Sequence, residues 1–593
     1  MRMQAKLLLP GENAGTVLIA AFIGLLAGVA NIIFRDTEEF IHHQLFERGY
    51  ELLHIGAGGW HLLLLPLLPI TGMVLLIPLS LLFPGEVNGY GFTRFLRKVN
   101  LAGGRIRART ILPKILSTTL TISTGNSAGV EGPIAQLGGA LGSLVGQFFR
   151  VSGSRMKVFI AAGCAGGVGA IFNAPVAGIF FASEIVLLGT YEMTSFVALV
   201  ISSSIATVVS RAYYGESPAF PIAPYHLVNP LVEIPLYTLM GILIGLIAVF
   251  HIRFFYYMRD RWSALDLHPQ LKPVAGAAIV GTLAIFFPQI MGNGYSYIAE
   301  TLAGQGVFWV MLALILLKIV ATAVTLGSGG AGGVFAPALF VGAVIGGCFG
   351  TIVHGLFPGM TASPGAYATV GIGAFLAAST HAPLTAIFLL FEMTGNYMII
   401  IPIMVTSVIG TVVASKVYPD SIDTVDFSRE GIDIHEGRET AIMKSIKVGS
   451  VMTEDVDFVS EKANANQLME IFSQTRDSFY FPVIDESGRM TGIVSLQDVK
   501  SVLHDRELGK AETVGSVCAR KVISLTPDDN LHTAMLLFDL KGIEEIPVIE
   551  SMEDKWVIGM LKRRDVITAY NREAIKRGIS ERASSIHFTA EQK

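Results

Sequence analysis

Glu131 is the middle residue of Gly129-Val-Glu-Gly-Pro133, set among apolar stretches. Glycine followed by proline ahead of an apolar run marks the first turn of a helix, where the missing proline N–H is not needed. Gly332-Gly-Val-Phe-Ala-Pro337 repeats that arrangement, and Asn88-Gly-Tyr-Gly-Phe-Thr93 is a third glycine-rich break. A helix N-terminus presents unpaired N–H groups and about half a positive charge. Two or three of them converging within a membrane would hold an anion without any full cation. A carboxylate placed there is itself an anion. It can occupy the anion's place, or leave once protonated, so Glu131 reads as a gate and as a proton carrier. An ionisable side chain at membrane depth is a functional hypothesis by default; the plainer alternative is a glutamate that only caps its helix.

The elements that must position these residues are membrane spans. Apolar residues make up 52% of the 593 and charged residues 15%, well below the roughly 25% charged of a soluble domain. The charge is uneven: residues 441–593 hold 20 Lys+Arg and 24 Asp+Glu, while the first 440 residues hold only 23 of each. A membrane body followed by a soluble α/β tail is the organisation implied, with a boundary near 436 and a linker over 437–447. Between Ile319 and Phe391 no Asp, Glu, Lys or Arg occurs, a length that must cross or re-enter the membrane more than once. Many runs are cut by Gly or Pro. Broken backbone at membrane depth is tolerated where protein or a water-filled path surrounds it, which points to a transport pathway. The basic residues Arg94, Arg97, Lys98, Arg105, Arg107, Arg109 and Lys114 crowd one connection, which the positive-inside rule makes cytoplasmic, with both termini on that side. A prokaryotic inner or plasma membrane is the expected location.

The body repeats itself weakly. Asn173-Ala-Pro-Val-Ala-Gly-Ile-Phe-Phe-Ala-Ser-Glu184 matches His381-Ala-Pro-Leu-Thr-Ala-Ile-Phe-Leu-Leu-Phe-Glu392 at an offset of 208, and Gly138 falls opposite Gly342 at an offset of 204. Paired half-repeats with interrupted helices point to a binding site near the bilayer midplane. Net charge of −4 gives no nucleic-acid footprint. Three scattered cysteines and the histidine spacing suggest neither a disulfide framework nor a metal site. A regulated enzyme would need a nucleophile–base pair, a metal cluster or a phosphate loop, none of which is legible. A cation transporter would need intramembrane acids facing the cation, and the helix N-termini favour the opposite sign.

The motifs GVEGP, GGVFAP, Asn173-Ala-Pro and His381-Ala-Pro resemble those of the CLC family of chloride channels and chloride/proton exchangers, over about residues 15–430. The resemblance implies a multi-span α-helical body of two inverted repeats and a homodimer with one chloride pathway in each subunit. It further implies Glu131 as the gating glutamate, backbone N–H groups of Val334 and Phe335 around the central anion, and Gly132 beside it. Three positions depart from the family pattern. Tyr90, in Gly89-Tyr-Gly91-Phe, stands where the family has an anion-binding serine. Asp423, in Ser421-Ile-Asp423, stands where it has an inner tyrosine. Ile185 follows Glu184 where exchangers carry an inner proton-passing glutamate. The expectations are that the Tyr90 hydroxyl, with Gly91, takes over the anion contact and that Asp423 turns away, since a full anion there would repel chloride. Because Ile185 cannot accept a proton, a passive chloride channel, voltage-gated as in relatives, is preferred to a chloride/proton antiporter, in which Asp423 would replace the missing acid.

The tail also repeats. Val448-Gly-Ser-Val451 returns as Val514-Gly-Ser-Val517, and Pro482-Val-Ile484 as Pro547-Val-Ile549. Each unit reads as helix (465–474; 530–541), strand, strand (490–495; 556–561), helix. This resembles a tandem CBS-domain pair, 448–506 and 507–570, followed by a loosely ordered tail, 571–593. Such pairs bind adenine nucleotides (ATP, ADP or AMP). Gly492-Ile-Val-Ser495-Leu-Gln-Asp498 fits the nucleotide pattern, with Ser495 and Asp498 as contacts. The second copy keeps Asp565 but has Lys562 in place of Ser/Thr. A purely structural dimerisation module is the alternative.

Overall fold

The computed structural model describes residues 12–151, 153–189, 193–216, 227–434, 438–474, 479–495, 498 and 513–576. The chain forms two compact units, Met1–Asp426 and Phe427–Lys593.

Among its described residues the first unit is built from helices. Its principal helices are α1 (Glu12–Ile41), α2 (Leu67–Leu82), α3 (Phe92–Asn100), α4 (Ile111–Ser123), α5 (Glu131–Phe148), α6 (Gly153–Phe172), α7 (Pro175–Phe181), α8 (Met193–Tyr214), α9 (Pro230–Ala264), α10 (Leu271–Phe286), α11 (Tyr295–Leu302), α12 (Phe308–Ser328), α13 (Phe335–Leu356), α14 (Pro364–Thr380), α15 (Pro383–Thr394) and α16 (Ile400–Val417). Among the described residues, eight helical stretches are long and apolar enough to cross a membrane, and three shorter apolar helices lie beside them. Two long apolar runs each break into a pair of helices, α6–α7 and α14–α15. The break residues Asn173 and His381 adopt left-handed φ of 58° and 56°, and the proline two positions on starts the next helix.

The two copies of the repeat seen in the sequence hold each other reciprocally. Glu184, just after α7, accepts from the N–H groups of Leu384 (3.1 Å) and Thr385 (2.7 Å) at the start of α15. Its counterpart Glu392 accepts from Val176 (3.1 Å) and Ala177 (2.8 Å) at the start of α7. Each acid thus satisfies the orphan donors of the other repeat's helix. Glycines do the packing. A Cβ on Gly138 of α5 would strike the Gly163 carbonyl of α6, and one on Gly342 of α13 would strike the Gly371 carbonyl of α14. Both contacts sit at equivalent places in the repeat and let backbones touch, as small residues do in lipid.

The second unit holds two α/β copies. In the first, β1 (Val459–Ser460) lies parallel to β2 (Tyr480–Ile484), which pairs antiparallel with β3 (Met490–Ser495); α17 (Ala465–Gln474) packs nearby. In the second, α18 (Leu531–Lys541) precedes the antiparallel pair β4 (Glu545–Ile549) and β5 (Val557–Lys562). The register slips at Val483/Ile484 and again at Val548/Ile549, the same irregularity in both copies. The helix expected after Ser495 lies outside the described residues apart from Asp498. The loose tail expected from Asn571 is corrected at its start. Helix α19 runs Arg563–Lys576, held by the buried Ala574, and residues 577–593 lie outside the described ones.

Gly138→Leu places a branched side chain against the Gly163 carbonyl and destabilises the body by at least the roughly 1–3 kcal/mol of core overpacking. A lowered midpoint of thermal aggregation in detergent checks this; an unchanged midpoint contradicts the close crossing.

Candidate functional site

Two of the three broken helices meet back to back. Gly129 N–H donates to the Gly333 carbonyl and Gly333 N–H to the Gly129 carbonyl, both at 2.8 Å. This two-residue antiparallel bridge ties the segment entering α5 to the segment entering α13. It leaves no room for side chains. A Cβ on Gly332 would stand 2.5 Å from that of Ala128, and one on Gly333 would lie 3.1 Å from the Gly132 nitrogen. Gly129, Gly332 and Gly333 are therefore needed for approach, and the result is two helix N-termini pointing at one place.

Glu131 occupies that place. Its side chain is fully buried. One oxygen accepts from the Ala336 N–H of α13 at 3.2 Å, and the other accepts from the Tyr295 hydroxyl at 2.5 Å. The carboxyl group thus sits at the N-terminus of the other repeat's helix and does more than cap its own. It folds back so tightly that a Cβ on Gly129 would strike it.

Beside it, Tyr90, Phe92, Gly132, Phe181, Ile185, Val334, Phe335, Thr380 and Asp423 line a cavity of about 20 Å³, room for one water-sized particle. Residues flanking all three breaks, at the starts of α3, α5 and α13, share this wall. Gly91 does not. It precedes α3 and lines a separate cavity with Arg94, Lys98 and Lys114.

Asp423 does not turn away. The Tyr90 hydroxyl donates to its carboxylate, and both groups face the cavity. A phenol has a single proton, and a carboxylate is the stronger acceptor, so the proton goes to Asp423. Three contacts fix the segment that carries the acid. Ile422 N–H donates to the Ser379 carbonyl (3.0 Å), the Tyr256 hydroxyl donates to the Ile422 carbonyl (2.8 Å), and Arg259 grips Asp426 through two bonds of 2.8 and 2.6 Å. Ile185 is buried on the same wall and offers only an aliphatic surface.

In the second unit, one Asp498 oxygen accepts from both the Ser495 N–H (2.8 Å) and the Ser495 hydroxyl (2.7 Å), which brings the two sequence-predicted contacts together. Asp565 lies in the first turn of α19 beside Arg564. Lys562, in the place of the second Ser/Thr, pairs with the buried Glu545 at 3.8 Å. Burial pushes the Glu545 carboxyl above its usual range while Lys562 pulls it back.

Sequence reasoning missed Tyr295 and Lys318. Nothing local marks Tyr295, because its contact spans 164 residues. Lys318 did carry a signal, as the lone charge within the apolar helix α12.

Gly129→Ala drives a methyl into the Glu131 carboxylate and dislodges it. Chloride flux in proteoliposomes should lose its pH response, as it would in Glu131→Gln; a wild-type pH profile in Gly129→Ala counts against the tight seat described above.

A family model described as voltage gated chloride channel matches residues 71–415, and the CBS domain model matches 448–505 and 514–572. The putative chloride channel protein ClcB-like of Ralstonia nicotianae is 33% identical, over 67% of this chain and 92% of its own length. The H(+)/Cl(-) exchange transporter ClcA of Vibrio campbellii is 32% identical, over 67% and 86%. The crystal structure of a slow cyanobacterial Cl−/H+ antiporter superimposes with a TM-score of 0.63 at 26% identity, over 70% of this chain and 97% of that one. Two helix ends stitched at Gly129 and Gly333 around a buried carboxylate, on a chain with these relatives, identify an integral membrane protein of the CLC chloride-transport family that carries a C-terminal CBS pair.

Proposed function

We propose that this protein is a chloride/proton antiporter rather than the passive channel preferred from the sequence. The observation that carries the reading is the position of Glu131. Its carboxylate occupies the place between helix N-termini where an anion would bind, so anion and carboxylate exclude one another. Chloride enters when Glu131 is protonated and swings out, and its return with the chloride gone delivers the proton. One residue then handles both ions in alternation. That two relatives are described as exchangers or antiporters supports the same reading.

The inner proton acceptor is assigned to Asp423. It faces the cavity, and Tyr90 donates to it. Once Asp423 takes a proton, it no longer needs the phenol as donor. The Tyr90 hydroxyl is then free to turn to a chloride ion in the cavity. The repulsion feared from an acid beside chloride is removed in the same step. One observation favours passive conduction: Ile185 leaves the usual inner relay position without a titratable group.

We further infer a homodimer with one pathway per subunit and cytoplasmic termini, on the family resemblance and the basic connection at 94–114. The CBS pair is assigned one adenine-nucleotide site, at Ser495 and Asp498. The ion pair of Lys562 with Glu545 argues against an equal second site.

In proteoliposomes, an imposed chloride gradient should drive protons uphill. Glu131→Gln should abolish the proton movement while chloride still flows, and Asp423→Asn should reduce proton movement relative to chloride. Chloride flux with no proton movement in the wild type returns the protein to the channel class. Isothermal titration of the full chain with ATP, ADP and AMP should give heat with at least one nucleotide that Asp498→Ala removes; no heat with any of them leaves the CBS pair a structural module.

A further inference from the structure

Glu131 is held at two points, and only one is a helix N-terminus. The other is the hydroxyl of Tyr295, the first residue of α11. The turn before Tyr295 is docked with unusual care. Lys318, fully buried in α12, donates through Nζ to the carbonyls of Ile290 and Gly292, both at 2.9 Å. Gly292 N–H donates to the Gly125 carbonyl at 3.2 Å. Gly294 adopts φ +83°, and a Cβ there would press on the Phe340 ring and lie 3.3 Å from Lys318 Nζ. Phe340 belongs to α13, whose Ala336 N–H holds the other Glu131 oxygen. Lys318 Nζ lies 5.0 Å over that ring, and Tyr297 stacks on it at 5.6 Å. An ammonium inside a membrane helix is costly. Here two carbonyls and a ring face satisfy it, and its effect is to lock the 290–294 turn to the anion-binding helix.

Tyr295 also borders open space. With Phe34, Arg35, Glu38, Val130 and Tyr214 it lines a cavity of about 640 Å³. That cavity reaches Val130 while the neighbouring Glu131 is fully buried. Tyr295 therefore stands between the cavity and the carboxylate.

We propose that Tyr295 is a latch on the gating carboxylate, presented by a turn that Lys318 pins to α13, and that it retains Glu131 in the anion site until a proton arrives from the cavity. The inference rests on the reading of Glu131 as a displaceable gate. A phenol donating to a carboxylate makes a charge-assisted bond, about twice as strong as a neutral one. Protonation of Glu131 removes the charge that strengthens the bond, so the latch releases at the moment the side chain must move. The charged and titratable groups around Tyr295 are Glu131 from α5, Arg35 and Glu38 from α1 with His42 just beyond, and Lys318 from α12. Tyr295 and Lys318 are positioning residues in this scheme, since neither is assigned a contact with chloride.

The test is chloride flux against pH in proteoliposomes of the full chain, for wild type, Glu131→Ala, Tyr295→Phe, the Glu131→Ala/Tyr295→Phe double variant and Lys318→Met. Tyr295→Phe should raise the ratio of flux at alkaline pH to flux at acid pH roughly ten-fold, the size expected for losing one hydrogen bond to a charged group. Lys318→Met should move the ratio in the same direction. In the Glu131→Ala background, Tyr295→Phe should change nothing, because the latched group is gone. A Tyr295→Phe profile that superimposes on wild type overturns the latch, as does an equal effect in the Glu131→Ala background. A wild-type pH response in Glu131→Ala overturns the gate reading itself, a result distinct from failure of the latch. Should Lys318→Met not fold, the two Tyr295→Phe comparisons still decide.

Discussion

The pair of hydrogen bonds between Gly129 and Gly333 is the contact on which the site depends. A helix N-terminus attracts an anion over about one turn, so one such end at membrane depth is a weak site. Two become useful when their backbones can come within bonding distance of each other. Any side chain at Gly129, Gly332 or Gly333 would hold them apart. Once they are stitched, a carboxylate carried on α5 lies within reach of the first N–H groups of α13. In the proposed mechanism Glu131 is a tethered anion competing for a site built from backbone, and a fixed lysine or arginine that would bind chloride too tightly to release is not required.

The rest of the body serves to hold those two ends in register. The exchange of Glu184 and Glu392 between α7 and α15 fixes the repeats against each other at a second place, again through helix N-termini. The glycine crossings of α5 on α6 and of α13 on α14 bring each anion-binding helix flush against its neighbour. In lipid, where apolar burial drives little association between helices, such close packing and hydrogen bonds carry the specificity. Acids that look alike in the sequence thus do different work. Glu184 and Glu392 clamp helices, whereas Glu131 sits where an ion would.

At the small cavity the chain uses its own pairing. Tyr90 and Asp423 come from segments 333 residues apart and meet across the small cavity, with Asp423 delivered by the Arg259–Asp426 fork and the Tyr256–Ile422 bond. A serine and a tyrosine at those positions would each offer a hydroxyl to the anion. A tyrosine and an aspartate bond to one another first, and in the proposed mechanism the anion contact becomes conditional on the protonation of the acid.

How much of this was legible beforehand follows from the range of each interaction. The breaks, the helix starts at Glu131 and Phe335, the 208-residue repeat, the strands of both CBS copies and the helices preceding them were written locally, because glycine, proline and apolar periodicity act over a few residues. Glu131 itself was legible because a charge among apolar residues needs an explanation. Three features were decided only in three dimensions. Asp423 was expected to turn away because its partner was invisible, and the cavity that Gly91 shares with Arg94 and Lys114 was hidden because a motif carries no direction. Tyr295 drew no notice because a hydroxyl acquires a role only when folding carries it to a carboxylate 164 residues away. Local chemistry determined which segments could bind an anion; the packing of distant segments decided which side chains hold the gate, since hydrogen bonds between them depend on positions that no local pattern encodes.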